Sequence, residues 1–522
     1  MVDPLLLLSF DGTQVPAELV AALGRRDIPG VTLFRRNLEG VEHTRALTES
    51  LQGARTPGRP PLLVAADQEG GQLMAVGPGT TPFPGNMALG ATGDEALAER
   101  VARAVGRELR AAGVNVNYAP VCDVATNPRN PSLGLRSFGE DPALVGRLAA
   151  ATVRGLQAEG VAATLKHFPG KGEAELDPHH DLPRLDLDRE RLDAVELAPF
   201  RAGVAAGARV VMVGHYDVPS ITGQPGLPTS LSPRALGEVL RRDLGFDGVI
   251  VTDALNMGAL GTEGRPDVAA ATRAGADLLL CAGSLDQEAL RDALERALGD
   301  GGLEPATVDG AARRTEGLRR WVGTSSPPGP EVVGCPEHLE LAGEVAARSV
   351  TLVRDEAGLL PLRLGPEASI LAVMPAPRDL TPADTSSTVP AGLASALRGH
   401  HPTVEEAVVG HPPTDGEIAA VRHLAARHDL VVVGTLDAFR DPGQAALVAA
   451  LLEAGPPVLT LALRTPHDLA AYPQARTHAC TYGILAPSLR AVAAALWGAA
   501  PFEGRLPAAV PGLYPAGHGL PT

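Results

Sequence analysis

The chain has 522 residues, 45 of them basic and 61 acidic, for a formal net charge of −16. That balance excludes a general nucleic-acid binder or a protein of anionic membrane surfaces, because both need an excess of positive charge. Hydrophobic residues make up 45%, enough for a large core, and 59 Gly with 47 Pro point to many tight loops rather than low complexity.

Met1-Val2-Asp3-Pro4 has no basic leader region and the apolar run after it ends at Leu8, so the segment is read as a first strand, not a signal peptide. Seven further short apolar runs follow, so the eight predicted strands are 5–10, 30–34, 62–67, 114–120, 162–168, 210–216, 248–253 and 277–281. Helical patterns lie between them, for example over 94–112, 142–159, 188–206 and 232–244. Continuous apolar strands fit a parallel sheet buried on both faces, and eight strand–helix units predict a (β/α)8 barrel over 1–323. The composition of 324–330, Thr-Ser-Ser-Pro-Pro-Gly-Pro, opens a linker that we place at 324–345. A second α/β pattern follows, with strands at 369–374, 429–434, 458–462 and 479–482 and helices at 415–427, 443–454 and 488–497. It predicts a smaller, parallel, three-layer αβα sandwich over 346–522. No segment is apolar over the roughly 20 residues a bilayer span needs, and we expect a cytoplasmic protein with no membrane partner. Cys122, Cys281, Cys335 and Cys480 are far apart and are expected as reduced thiols.

The polar residues of the barrel pattern fall in one place. Asp67, Asp123, Lys166 with His167, His215 and Asp253 each stand at or just past the C-terminal end of a predicted strand. That end of a barrel gathers the βα loops and faces the active site. Lys166 and Lys171 are also the only two lysines in the chain, and arginine does not imitate a compact ammonium in a tight polar site.

The densest segment runs from Lys166 to Pro183 and holds two lysines, three histidines and four further acids around glycines. Asp177 and His179, two apart, could form a carboxylate–imidazole pair that moves a proton near neutral pH. His179, His180 and Asp181 could instead bind a metal, although the spacing matches no zincin motif. The segment could also be a solvated loop. Asp253 is either a helix N-cap or a reactive carboxylate, and Arg136 either a surface ion pair or a substrate clamp.

Taken together, the motifs resemble glycoside hydrolase family 3, in its β-N-acetylglucosaminidase branch. The resemblance runs through Gly30-Val31-Thr32-Leu33-Phe34-Arg35-Arg36-Asn37, Asp67-Gln68-Glu69-Gly70-Gly71, Asn115-Val116-Asn117-Tyr118-Ala119-Pro120, Arg136-Ser137-Phe138-Gly139, Lys166-His167-Phe168-Pro169-Gly170 and Thr252-Asp253. In the second domain it rests on Ser349-Val350-Thr351-Leu352-Val353-Arg354 and Gly504-Arg505-Leu506-Pro507. The resemblance implies that Asp253 is the nucleophile and that His179 with Asp177 is the acid/base dyad. It implies that Asp67, Arg136, Lys166 and His167 hold sugar hydroxyls, and that His215 and Met257 line the pocket. No metal and no cofactor are implied.

The activity so implied is an exo-acting, retaining β-N-acetylglucosaminidase that removes terminal GlcNAc from muropeptides or chito-oligosaccharides, as in peptidoglycan recycling. A β-glucosidase or β-xylosidase of the same family, whose acid generally comes from a second-domain glutamate, is the alternative. A non-catalytic saccharide-binding derivative is a further one. Imidazole in place of the usual second carboxylate repels an incoming anion less, which adds phosphate as an alternative acceptor. The chain departs from the family pattern at Gln72, where arginine is common, at Lys171 and Glu173, in place of the His and Asp of Gly-His-Gly-Asp, and at Pro178, usually serine.

Overall fold

The computed structural model describes residues 1–260, 267–283 and 286–521. Eight parallel strands, Leu6–Leu8, Gly30–Thr32, Leu63–Ala66, Val116–Asn117, Ala162–Phe168, Val210–Val213, Val249–Thr252 and Leu279–Leu280, form one sheet in which the last pairs with the first. A parallel bridge between Val251 and Leu278 joins the seventh strand to the eighth, so the strand order runs round a barrel. Each strand lies within one of the predicted apolar runs, and every residue in them is buried. Helices cover the outer face, which is why these strands are apolar on both sides.

The helices Glu95–Ala111 and Pro142–Ala158 match their predicted spans and are capped as their sequences require. The Asp94 carboxylate accepts from the Leu97 N–H, and that of Asp141 from the Ala143 N–H just after Pro142. The predicted helix 188–206 is broken into Arg189–Arg191, a π-helical stretch Leu192–Glu196, and Ala198–Ala205. Pro199 has no N–H for the carbonyl four residues earlier, and just upstream Leu197 bonds five residues back to Leu192 instead, at 2.8 Å. The predicted 232–244 helix is likewise π-wound over Arg234–Asp243.

The second sheet has six strands in the order Thr351–Asp355, Thr477–Cys480, Val458–Ala462, Leu430–Thr435, Ile370–Pro375 and Val404–Val409. Five are mutually parallel, but Thr351–Asp355 runs antiparallel to Thr477–Cys480. The expected all-parallel sheet is therefore a mixed one, because its first strand enters at an edge with no crossover helix to reverse it. One face of this sheet shares a continuous apolar cluster with the barrel helices, and the other has a cluster of its own.

The stretch expected as a linker, 324–345, is more ordered than that. It holds a 3-10 turn, Pro330–Val332, and most of the helix Pro336–Ser349. That helix buries Leu341, Ala342, Val345 and Ala346 and packs against both Asn86–Thr92 and Ala486–Leu496. It thus forms part of the packing between the two sheets.

Candidate active site

The strand Leu63–Ala66 delivers Asp67 to the barrel rim, and Asn117 fixes the turn that follows. Its side-chain amide donates to the Gln68 carbonyl at 2.9 Å and accepts from the Gln68 N–H at 3.0 Å. Two residues on, Glu69 is enclosed between cations. Arg136 holds it in a bidentate grip, Nε to Oε2 at 2.9 Å and Nη2 to Oε1 at 2.8 Å. Lys166 Nζ lies 2.5 Å from the same Oε1 and 2.6 Å from Asp67 Oδ1. Burial alone would raise the Glu69 pKa, but Arg136 and Lys166 outweigh it and bring it down to about 2. Glu69 therefore stays ionised and orients two cations, while Asp67 keeps one side open to the cavity.

His167 is set by Asp123, itself fully buried. Its Nδ1 lies 2.8 Å from Asp123 Oδ2, and its Nε2 lies 3.4 Å from Arg136 Nη2, which can only donate. Nδ1 therefore bears the proton, and burial beside Lys171, Arg136 and Lys166 holds the ring neutral. The second Asp123 oxygen accepts backbone N–H groups from His167 at 3.2 Å and from Lys171 at 2.9 Å.

Asp253 follows the strand Val249–Thr252, and its Oδ1 accepts from the Ala254 N–H at 2.8 Å. No helix of the described residues starts there, so it is not a helix cap. Burial pushes its pKa up; His167, His215, His179 and the Ala254 N–H outweigh that and hold it low. Facing it, His179 Nδ1 lies 2.5 Å from Asp177 Oδ1, which also accepts the His179 N–H at 3.1 Å. Burial opposes ionisation of Asp177, yet its bonds and charge interaction with His179 bring it down to about 2. Nδ1 is thus committed to the carboxylate, leaving Nε2 for proton transfer. The loop is pinned to the chain after Asp253 by the Gly258 N–H on the His179 carbonyl and the Ala259 N–H on the Pro178 carbonyl. Gly258 is needed for that approach: a Cβ there would lie 2.5 Å from the His180 carbonyl oxygen.

A cavity of about 240 Å³ opens among these groups. Asp67, Arg136, Lys166, His167, His179, Asp253 and Met257 line it. Asp177 stands behind His179. His215 does not line the cavity: it is fully buried, with Nδ1 2.7 Å from Ser230 Oγ and Nε2 3.3 Å from the Ala254 carbonyl, so it braces the Asp253 turn from behind. Of the departures, Pro178 and Lys171 line the cavity, whereas Glu173 turns outward, 3.7 Å from Arg191.

Glu69 stands in the Asp67–Gly71 motif with no role assigned to it; its position two residues past Asp67 at the same strand end is the signal that could have found it. Arg35 and Arg36 at the cavity wall likewise stand in a motif without a role assigned to them, and the stretch 382–385, outside every motif, brings the second domain to the site. Among the described residues no group of three or more His, Cys, Asp or Glu side chains is placed to hold a metal ion, and no helix is long and apolar enough to cross a membrane.

A parallel barrel with a buried carboxylate and an imidazole–carboxylate pair at one charged cavity suits a glycoside hydrolase, and the relatives of the chain show that class. The chain belongs to glycoside hydrolase family 3: the model of the glycosyl hydrolase family 3 N-terminal domain matches residues 5–318. It is 31% identical to a beta-hexosaminidase A of Pseudoalteromonas piscicida, over 95% of this chain and 92% of that one. It is 33% identical to a beta-N-acetylglucosaminidase/beta-glucosidase of Cellulomonas fimi, over 86% of this chain and 83% of that one. Among solved structures, a family 3 beta-N-acetylglucosaminidase from Paenibacillus sp. str. FPU-7 superposes with a TM-score of 0.91 at 36% identity, covering 98% of each chain.

Proposed function

We propose that the protein is an exo-acting, retaining β-N-acetylglucosaminidase, with Asp253 as nucleophile and Asp177–His179 as acid/base dyad. The observation that carries this reading is the 2.5 Å contact between Asp177 and His179 on a loop pinned beside Asp253. In the first step the Asp253 carboxylate attacks the anomeric carbon while His179 Nε2–H protonates the leaving oxygen, and Asp177 stabilises the imidazolium before transfer. In the second, neutral His179 takes a proton from water as it attacks the glycosyl-enzyme. Asp67, Arg136, Lys166 and His167 offer donors and acceptors to the sugar hydroxyls, with Met257 against its apolar face.

The names of the relatives support terminal GlcNAc as the glycone. Muropeptides or chito-oligosaccharides as substrates, a part in peptidoglycan recycling and a cytoplasmic site of action belong to the same proposal. So does phosphate as an alternative acceptor, whose signature is sugar 1-phosphate among products formed in phosphate buffer.

The β-glucosidase reading needs an acid from the second domain. The second-domain carboxylate at this cavity is Asp384, fully buried and 3.0 Å from Arg464, which suits it poorly to donate a proton. Initial rates on p-nitrophenyl β-N-acetylglucosaminide and p-nitrophenyl β-glucoside, without added metal, test the choice. A strong preference for the acetamido sugar is expected. Preference for the glucoside overturns the branch assignment, and turnover of neither leaves a saccharide-binding protein.

A further inference from the structure

Among the described residues three buried cations line the cavity, and two of them are matched: Arg136 by Glu69, and Lys166 by Glu69 and Asp67. Lys171 is not. The residue is 1% exposed, yet among the described residues its ammonium makes no hydrogen bond and no ion pair. Its backbone is fixed, however. The Lys171 N–H donates to Asp123 Oδ1, and its carbonyl accepts from Asn130 Nδ2 at 2.7 Å. The next residue, Gly172, lies so close to the Val124 carbonyl oxygen that a Cβ would come within 1.7 Å of it.

Asp123 already accepts three hydrogen bonds, from the His167 ring, the His167 N–H and the Lys171 N–H itself, and none from the ammonium. The charged and titratable groups that act on the lysine are Arg136 and His167, which oppose its charge, and Asp123, Asp177 and Asp253, which favour it. A buried cation without a partner is strongly unfavourable unless something in the cavity accepts its hydrogen bonds. Burial first, and Arg136 next, pull the Lys171 pKa down to about 8, against the three carboxylates. In the empty site at mildly alkaline pH, a large share of the side chain is therefore neutral amine.

We propose that Lys171 is a further substrate-binding residue of this cavity, whose ammonium donates to an oxygen of the bound sugar, so that ligand binding draws a proton onto the amine. The inference rests on the cavity being the glycone site. No covalent bond changes: the sugar arrives neutral, the proton comes from the buffer, and the ammonium gains the acceptor it lacks. The sign follows from linkage. The proton is held more tightly in the complex, so affinity is greatest below the free-site pKa and falls as pH rises through it.

Calorimetric titration of N-acetylglucosamine into the full chain, in pairs of buffers with different ionisation heats, tests this. The wild type is expected to take up about half a proton per sugar at pH 8, rising toward one at pH 9, with Kd weakening by up to about tenfold per pH unit. At pH 7, Lys171→Met is expected to weaken binding by about ten- to a hundredfold and to abolish the proton uptake. A folded variant with wild-type Kd, or a wild type that binds without proton exchange from pH 7 to 9, overturns the proposal. If the variant does not fold, the wild-type titrations decide alone. A wild type that turns over the acetamido glycoside but shows no uptake removes Lys171 and leaves the function standing. One that neither binds nor cleaves it overturns both.

Discussion

The barrel rim and the C-terminal edge of the second sheet both bury carboxylates, and they treat them in opposite ways. At the rim, Glu69 is held ionised by two cations, its pKa down to about 2 despite burial. Beside the second sheet, Asp468 is equally buried but makes no ion pair among the described residues. Its oxygens accept from the Thr435 hydroxyl at 2.6 Å and from the Asp437 and Phe439 N–H groups at 3.2 Å each. Burial, reinforced by the neighbouring Asp437, pushes its pKa up to about 7. The rim maintains charge and turns it toward a cavity, whereas the second sheet suppresses charge inside a closed hydrogen-bond network. Burial of polar groups therefore does not by itself mark a site; pairing with cations around open space does.

The largest expected effect breaks the comparison by removing one carboxylate from each region. Asp253→Ala should lower kcat by at least about a thousandfold with a thermal midpoint close to wild type, because only the covalent step needs the carboxylate. Asp468→Asn should do the reverse, leaving kcat within about twofold while costing about 1–3 kcal/mol of stability in a denaturant titration. His179→Ala should lie between these two in its effect on kcat. Its loss should reach about a hundredfold or more on disaccharides and be much smaller on nitrophenyl glycosides, which need no protonation. Equal losses on both would exclude His179 as the acid.

A pH series sharpens the same contrast. The depressed pKa of Glu69 contributes stability that is present above its unfolded value of about 4.3 and lost as pH falls toward 2. Asp468 acts with the opposite sign: folded protein keeps a proton that the unfolded chain releases near pH 4, so stability falls as pH rises from about 4 to 7 and then levels. Denaturant midpoints from pH 3 to 8 should therefore lose their acid-side slope in Glu69→Gln and their neutral-side slope in Asp468→Asn. If neither substitution alters the slope it is tied to, these two carboxylates do not carry the difference.

What the sequence reveals follows the range of the interactions. The barrel strands are legible because burial on both faces makes them continuous apolar runs, and Asp67, Lys166, His167 and Asp253 are legible because each stands where such a run ends. Asp177 and His179 form a local pair, so spacing alone suggests them. Glu69 gains its meaning from Arg136, 67 residues away, and from Lys166, which no local pattern announces. The strand Val404–Val409 escapes notice because Glu405 and Glu406 are exposed at the sheet edge and interrupt its apolar run. Thr351–Asp355 is buried over most of its length, but its antiparallel direction is set by packing rather than by pattern.

The second domain's part in the cavity is the least legible feature, and it turns on Gln72. The Gln72 carbonyl accepts from the Thr385 N–H at 2.7 Å and from its hydroxyl at 2.9 Å, holding the stretch 382–385 against the barrel. Its side-chain oxygen accepts from Arg464 Nη2 at 2.7 Å, and Arg464 Nη1 reaches Asp384 at 3.0 Å. Where the family resemblance leads one to expect an arginine, Gln72 thus bonds a guanidinium of the other domain, and neither side chain lines the cavity. Gln72→Ala keeps the backbone contacts and the Arg464–Asp384 pair, so it should raise KM for disaccharides by only about two- to tenfold with kcat unchanged. Gln72→Arg sets a second guanidinium against Arg464 and should raise KM further, because like charges in a buried space push the 382–385 wall away. If both variants keep the wild-type KM, that stretch is scaffolding behind the site, and specificity for the leaving sugar belongs to the barrel alone.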